Sequence, residues 1–149
     1  MASLMPSVNQ ILSSEQGVYH WPERNCITTA MALYEALCTK PEPFFFQACA
    51  HYFTLSEEVA WRELAKLGGP LVHHEAIFGN GARRVTELAP GDIVFLRGPI
   101  TMGNHSFAAK PGREGMAFVD EGYAVLHWTP DGLRPVNAPY PDHTALRMV

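Results

Sequence analysis

The apolar pattern of this chain changes once, at Gly79-Asn80-Gly81, and that change limits what it can fold into. Ahead of it, apolar residues recur at helical spacing. Behind it they form short runs separated by glycine, proline or charge, as in strands. Helices followed by strands that turn back on one another make an α+β domain with an antiparallel sheet. Asn25 reads as an N-cap, and Ile27, Ala30, Met31, Tyr34, Leu37 and Cys38 follow it at helical intervals. Ala32, Leu33 and Ala36 make the opposite side nearly as apolar, so this helix is expected at the centre of the domain, buried on most sides. Lys40-Pro41-Glu42-Pro43 should end it, because proline lacks an amide donor and disfavours helix in the residue before it. Residues 44–53 read as a short helix. Ser56 caps a clearer one, with Glu57 and Glu58 in its first turn, Ala60, Trp61, Leu64 and Leu67 facing inward, and Gly68-Gly69 after it.

In the second half, strands are expected over residues 92–97, 106–110, 116–120 and 123–129. Pro111-Gly112-Arg113-Glu114-Gly115 and Pro130-Asp131-Gly132 are the expected hairpin loops. Residues 1–24 are polar apart from Ile11-Leu12 and read as a loose arm with one turn of helix. His73-His74-Glu75 reads as loop, where adjacent rings do not converge on one ion, and no metal or other cofactor is expected. Cys38, Cys49, Trp21, Trp128 and Phe44-Phe45-Phe46 read as packing residues. With 149 residues the chain is expected to be one domain, 1–149.

Charge excludes some functions. The formal net charge is -4 and the basic residues are scattered, Arg83-Arg84 being the longest run, so no nucleic-acid partner is expected. No apolar stretch approaches the roughly eighteen residues of a membrane span, and residues 1–10 lack the basic flank and apolar core of a signal peptide. Synthesis in the cytosol is expected, with any export by a route that reads no cleavable signal. On one helix Cys26 and Cys38 would stand about 18 Å apart, beyond disulfide reach, which suits a reduced compartment.

The residues that carry chemistry start with Cys26. A thiolate forms most readily at a helix amino terminus close to an imidazole, and Cys26 opens the helix capped by Asn25. The free amides of that end can also receive the oxyanion of an attacked amide. His105 opens a strand after Gly103-Asn104 and is the expected base. Asp120 ends the strand expected to pair with it, so the two would meet at one end of a hairpin and the carboxylate would orient the ring. Glu121, Asp131 and Asp142 are the other candidate orienters.

Arg24-Asn25-Cys26-Ile27-Thr28-Thr29-Ala30, Gly103-Asn104-His105-Ser106-Phe107 and Ala117-Phe118-Val119-Asp120 together resemble the pattern of papain-like fold bacterial toxins, a group that includes glutamine deamidases injected into host cells. The likeness covers three short blocks, and Asp120-Glu121-Gly122 stands where the family often has Asp-Pro-Gln. It implies a papain-like fold, with Cys26 as nucleophile, His105 as base and Asp120 as orienter. Gln16, His20 and Asn25 are the candidate oxyanion donors near the cysteine. The implied activity is that of a cysteine hydrolase on carboxamides, in the form of a protein glutamine deamidase with a protein substrate and a delivery or immunity partner. A second likeness lies in Leu88-Ala89-Pro90-Gly91-Asp92-Ile93-Val94-Phe95, which is similar to the Pro-Gly-Asp strand of NlpC/P60 cell-wall peptidases and implies an amidase or endopeptidase of peptidoglycan peptides. A binding or immunity module on the same scaffold, with a dead site, is the third expectation.

Overall fold

The computed structural model describes residues 6–40, 42, 45–106 and 113–149 in full, and 107–108 by backbone. The expected loop at 111–115 and the proline pair at Pro41 and Pro43 therefore fall partly outside the described residues, as does Phe44.

Among the described residues five α-helices come first: α1 (Val8–Ser14), α2 (Cys26–Leu37), α3 (Phe45–Phe53), α4 (Glu57–Lys66) and α5 (Pro70–Phe78). The caps explain where they start. Asn25 Oδ1 accepts from the amides of Ile27 at 2.8 Å and Thr28 at 3.0 Å, and Thr28 Oγ1 accepts from the Asn25 amide at 2.9 Å, a reciprocal capping box. Ser56 Oγ accepts from the Val59 amide at the head of α4, and Ser7 does the same for α1. α2 is the central helix, with Ile27, Ala30, Leu33 and Tyr34 at 1% exposure or less.

Among the described residues eight strands follow: β1 (Ala82–Val85), β2 (Ile93–Leu96), β3 (Pro99–Met102), β4 (His105–Ala108), β5 (Gly115–Val119), β6 (Val125–Thr129), β7 (Gly132–Pro135) and β8 (His143–Met148). Six form an antiparallel sheet in the order β1-β8-β2-β5-β6-β7, and β3 pairs with β4 alone. The α+β class and the expected order of helices before strands hold.

Strand alternation divides the buried residues between two faces. Ile93, Phe95, Met116, Phe118, Trp128 and Leu146 pack with the helices. Val94, Leu96, Ala117, Val119, Val125 and Ala145 form a second core with Ile100 of the β3–β4 hairpin. The sheet is thus covered by helices on one face and by a hairpin on the other. Asp92, fully buried, explains the Pro-Gly-Asp segment: its carboxylate accepts from the Ala89 amide at 2.8 Å and from Arg147 of β8 at 2.9 and 3.0 Å. The motif closes a turn and ties two strands.

Three expectations are corrected. Residues 73–75 are not loop: they lie in α5, with His73 and His74 buried against Tyr52, Phe78 and Phe95. Two histidines stand where aliphatic residues would have revealed the helical period. The amino-terminal segment is not loose in its described part. Ile11 and Leu12 enter the core, and Gln16 binds β7 as a strand would, accepting from the Leu133 amide at 2.9 Å and donating to its carbonyl at 3.1 Å. Tyr19 N donates to Pro130 O and Trp21 Nε1 to Leu55 O. Polar groups anchor this segment, so its apolar pattern is weak.

The third correction bears on the site. β4 does not pair with β5. The run Pro99–Met102 is a strand, β3, and takes β4 as its partner, while β5 lies between β2 and β6.

Candidate functional site

A cavity of about 530 Å³ opens at the end of the sheet where β5 begins and β6 ends. That volume suits a small ligand or a short peptide segment. Tyr19, Cys26, Glu57 and Trp61 line it from the helical side, with Met116 and Trp128 of the sheet. Ile100, Gly115 and His127 line it from the hairpin side, and Arg113 and Glu114 lead into β5 at its rim.

Cys26 is the first residue of α2 and is 8% exposed. Its position follows from the Asn25 cap, which fixes where the helix begins. A second set of bonds holds that turn: the Thr29 hydroxyl donates to Asn25 O at 2.9 Å and receives the Trp128 indole N–H at 3.0 Å. Burial pushes the Cys26 thiol up to about 12, against the Arg113 guanidinium and the amides of Cys26 and Ile27, which favour the thiolate; the Glu57 carboxylate opposes it. At neutral pH the sulfur is therefore protonated. Tyr19 is likewise raised, by burial first, then by Cys26 and by its hydrogen bond to Glu57 Oε2 at 2.5 Å.

His127 sits on β6 opposite Ala117, hence on the hairpin face of the sheet. Burial holds its pKa below the usual value. Its Nδ1 lies 2.8 Å from Trp128 O, and since a carbonyl only accepts, Nδ1 carries the proton and Nε2 is the basic nitrogen. Gly115 gives that nitrogen room: a Cβ there would stand 2.6 Å from Ile100 Cδ1 and 2.9 Å from His127 Nε2, closer than side chains pack. The missing side chain leaves space for the ring on the hairpin face of the sheet.

His105 and Asp120 are not among the residues that line the cavity. His105 is exposed at the tip of the β3–β4 hairpin, paired with Met102. Asn137 fixes that tip, accepting from Gly103 N at 3.3 Å and donating to Gly103 O at 3.1 Å, and it adjoins Val136, whose amide donates to Val125 O. That is the start of β6, a strand length of about 13 Å from its cavity end. Asp120 follows Val119 at the same far end, and its Oδ1 accepts from the amides of Gly122 and Ala124, both at 2.9 Å, so it builds the β5–β6 turn. The hairpin that was to join His105 and Asp120 beside Cys26 does not form.

Of the other expected residues, Asn25 stays beside Cys26, fully buried, with Nδ2 unpartnered among the described residues. Gln16 is occupied by Leu133, and His20 is exposed with its ring 3.6 Å from Glu23. Among the alternative orienters, Glu121 bonds Asn9 by its amide and its carboxylate, Asp131 lies exposed in the β6–β7 turn and Asp142 pairs with Arg97 at 2.9 Å. Cys38 and Cys49 are apart from the cavity. Sequence reasoning missed His127, Arg113 and Glu114. A histidine in the middle of an expected strand was the one available signal for the first, and the other two sat in an expected loop.

Among the described residues no group of His, Cys, Asp and Glu could hold a metal ion, and no helix is long and apolar enough to cross a membrane. Comparison with protein families, with curated proteins and with solved structures finds no match to this chain.

Proposed function

We propose that the chain is a cysteine hydrolase acting on carboxamides, with Cys26 as nucleophile and His127, in place of His105, as general base. The observation that supports this is that both residues line one cavity, Cys26 from the first turn of a helix and His127 from the sheet. A cysteine on the central helix and a histidine on a strand is also what the likeness to papain-like enzymes implies.

With the thiol raised and the imidazole lowered, the pair rests neutral. Attack is then of the general-base kind. As the Cys26 sulfur bonds to the amide carbon, His127 Nε2 takes the thiol proton. The helix-end amide of Cys26, next to the Asn25 cap, receives the negative oxygen. The imidazolium returns its proton to the departing nitrogen, the C–N bond breaks, and water hydrolyses the thioester. The Trp128 carbonyl keeps the proton of the resting ring on Nδ1 and so serves as orienter in place of Asp120. The substrate can be a protein glutamine side chain, as the toxin likeness implies, or a peptidoglycan peptide.

p-Nitrophenyl acetate tests the chemistry. A burst of nitrophenol and one acetyl group on Cys26 by peptide mass spectrometry are expected, both lost in Cys26→Ala and in His127→Gln and kept in His105→Ala. Release of ammonia from glutamine peptides, or cleavage of purified cell walls, then separates deamidase from amidase. An undiminished burst in folded Cys26→Ala protein ends the proposal.

One observation favours a second reading, a binding module with an idle thiol. A sulfur 8% exposed and raised to about 12 carries almost no thiolate at neutral pH. Ligand binding to the cavity without any acyl-cysteine would establish that reading.

A further inference from the structure

Among the described residues, the cavity holds a cation whose donors no protein group uses. Arg113 lies at the rim with its guanidinium carbon 4.8 Å from the centre of the Trp61 ring, and this is its contact among the described residues, with no hydrogen bond or ion pair beside it. Stacking on an indole fixes the plane of a guanidinium while leaving its N–H groups, directed outward in the plane, open for a partner. Trp61 in turn is anchored in the core at 7% exposure, beside Trp21.

The carboxylates nearby do not fill that role. Glu57 Oε2 is taken by the Tyr19 hydroxyl, and Glu114 Oε1 is buried with no donor among the described residues. Neither forms an ion pair with Arg113. Arg113 is half-buried at the rim, so a carboxylate brought to it gains a charge-assisted contact only partly screened by water. The same guanidinium favours the Cys26 thiolate and lines the same cavity, so a group bound to it shares that cavity with the attacking atom.

We propose that Arg113 is a carboxylate receptor, so that the amide taken up beside Cys26 belongs to a molecule that also carries a carboxylate. This names the substrate class of the site described above and rests on reading the cavity as a substrate site. The arrangement selects an acidic amide, such as a peptide with a free carboxyl group next to the scissile bond. It disfavours neutral amides of the same shape, which would cover the guanidinium without pairing it.

The test compares hippurate, an aromatic amide with a carboxylate, with its neutral analogue hippuramide, by titration calorimetry on the full chain. Hippurate should bind about tenfold more tightly or better, the scale of one charge-assisted contact. Arg113→Met should remove the preference and Arg113→Lys keep part of it, with far-UV circular dichroism showing both variants folded. Cys26→Ala should retain the preference, since the receptor does not need the sulfur. Equal affinity for the two compounds, binding of neither, or an unchanged preference in Arg113→Met overturns the proposal. The acyl-enzyme burst is a separate measurement, so the carboxylate preference can stand where thiol chemistry fails, and the reverse.

Discussion

The Trp128 indole donates to the Thr29 hydroxyl at 3.0 Å, joining the last turn of the sheet before the cavity to the first turn of the central helix. Because Thr29 Oγ1 also donates to Asn25 O and lies 3.2 Å from Glu15 Oε1, one hydroxyl links three segments of chain. Thr29→Val keeps the shape and removes these bonds, leaving a buried indole N–H unpaired. We expect a loss of about 1–2 kcal/mol. Urea denaturation with unchanged slope measures it, and no change in midpoint would show that the link is dispensable.

Asn25→Ala should remove the cap of α2. Two amides lose their acceptor, and the expected cost is about 1–2 kcal/mol. Thermal unfolding reads the loss. Because the same turn carries Cys26, alkylation of that thiol should also quicken as the helix end loosens.

Cys26 should be a slow thiol in the free protein. Burial raises it to about 12, so its reaction with iodoacetamide should climb throughout the range from pH 7 to pH 10. Cys38, half-buried and outside the cavity, should react first at pH 7. Peptide mapping after timed alkylation gives the order, and a rate for Cys26 that levels off near pH 7 would contradict the neutral resting pair.

Acid should weaken the fold through α5. Burial holds His73 near 4 and His74 near 3, below the value of about 6.5 expected in the unfolded chain. The unfolded state therefore binds more protons below pH 6.5. Stability is full above that pH, falls by up to about 1.4 kcal/mol per pH unit for each histidine below it, and levels off once the folded pKa is passed. Urea midpoints at pH 7, 5.5 and 4.5 should decline less steeply in His74→Leu than in the parent. Parallel curves would show that these rings titrate normally.

Asp92→Asn should cost about 2 kcal/mol or more, because it breaks a pair in which the carboxylate is wholly buried and leaves Arg147 without its charge partner. Chemical denaturation checks this. A substitution without effect would return the Pro-Gly-Asp segment to the candidates for function.

The helical half was legible where caps and apolar spacing agree. Asn25 and Ser56 mark the starts of α2 and α4, and Cys26 opens the central helix as expected. α5 was hidden because its buried face includes His73 and His74, and a period read from apolar residues does not count histidine. In the sheet, β2, β5 and β6 were visible as apolar runs, whereas β1, with Arg83 and Arg84 exposed, and β7 offer too few apolar residues to register. Pairing was the harder matter. Local order suggested that β4 and β5 form a hairpin, but β3 took β4 across the two-residue turn Gly103-Asn104, with Ile100 held in the second core. That one misplaced pairing carried His105 and Asp120 to the wrong end of the sheet. His127 was overlooked for the converse reason: a lone histidine in a strand has no spacing to announce it.

The bond pair between the Gln16 amide and Leu133 has a consequence for the chain's behaviour outside its native state. β7 is a border of the sheet, with main-chain groups directed away from β6, and a borrowed side-chain amide covers part of that border. Shortening the amino-terminal segment past Gln16 would uncover it and offer it to another copy. Such truncations should self-associate into β-rich aggregates.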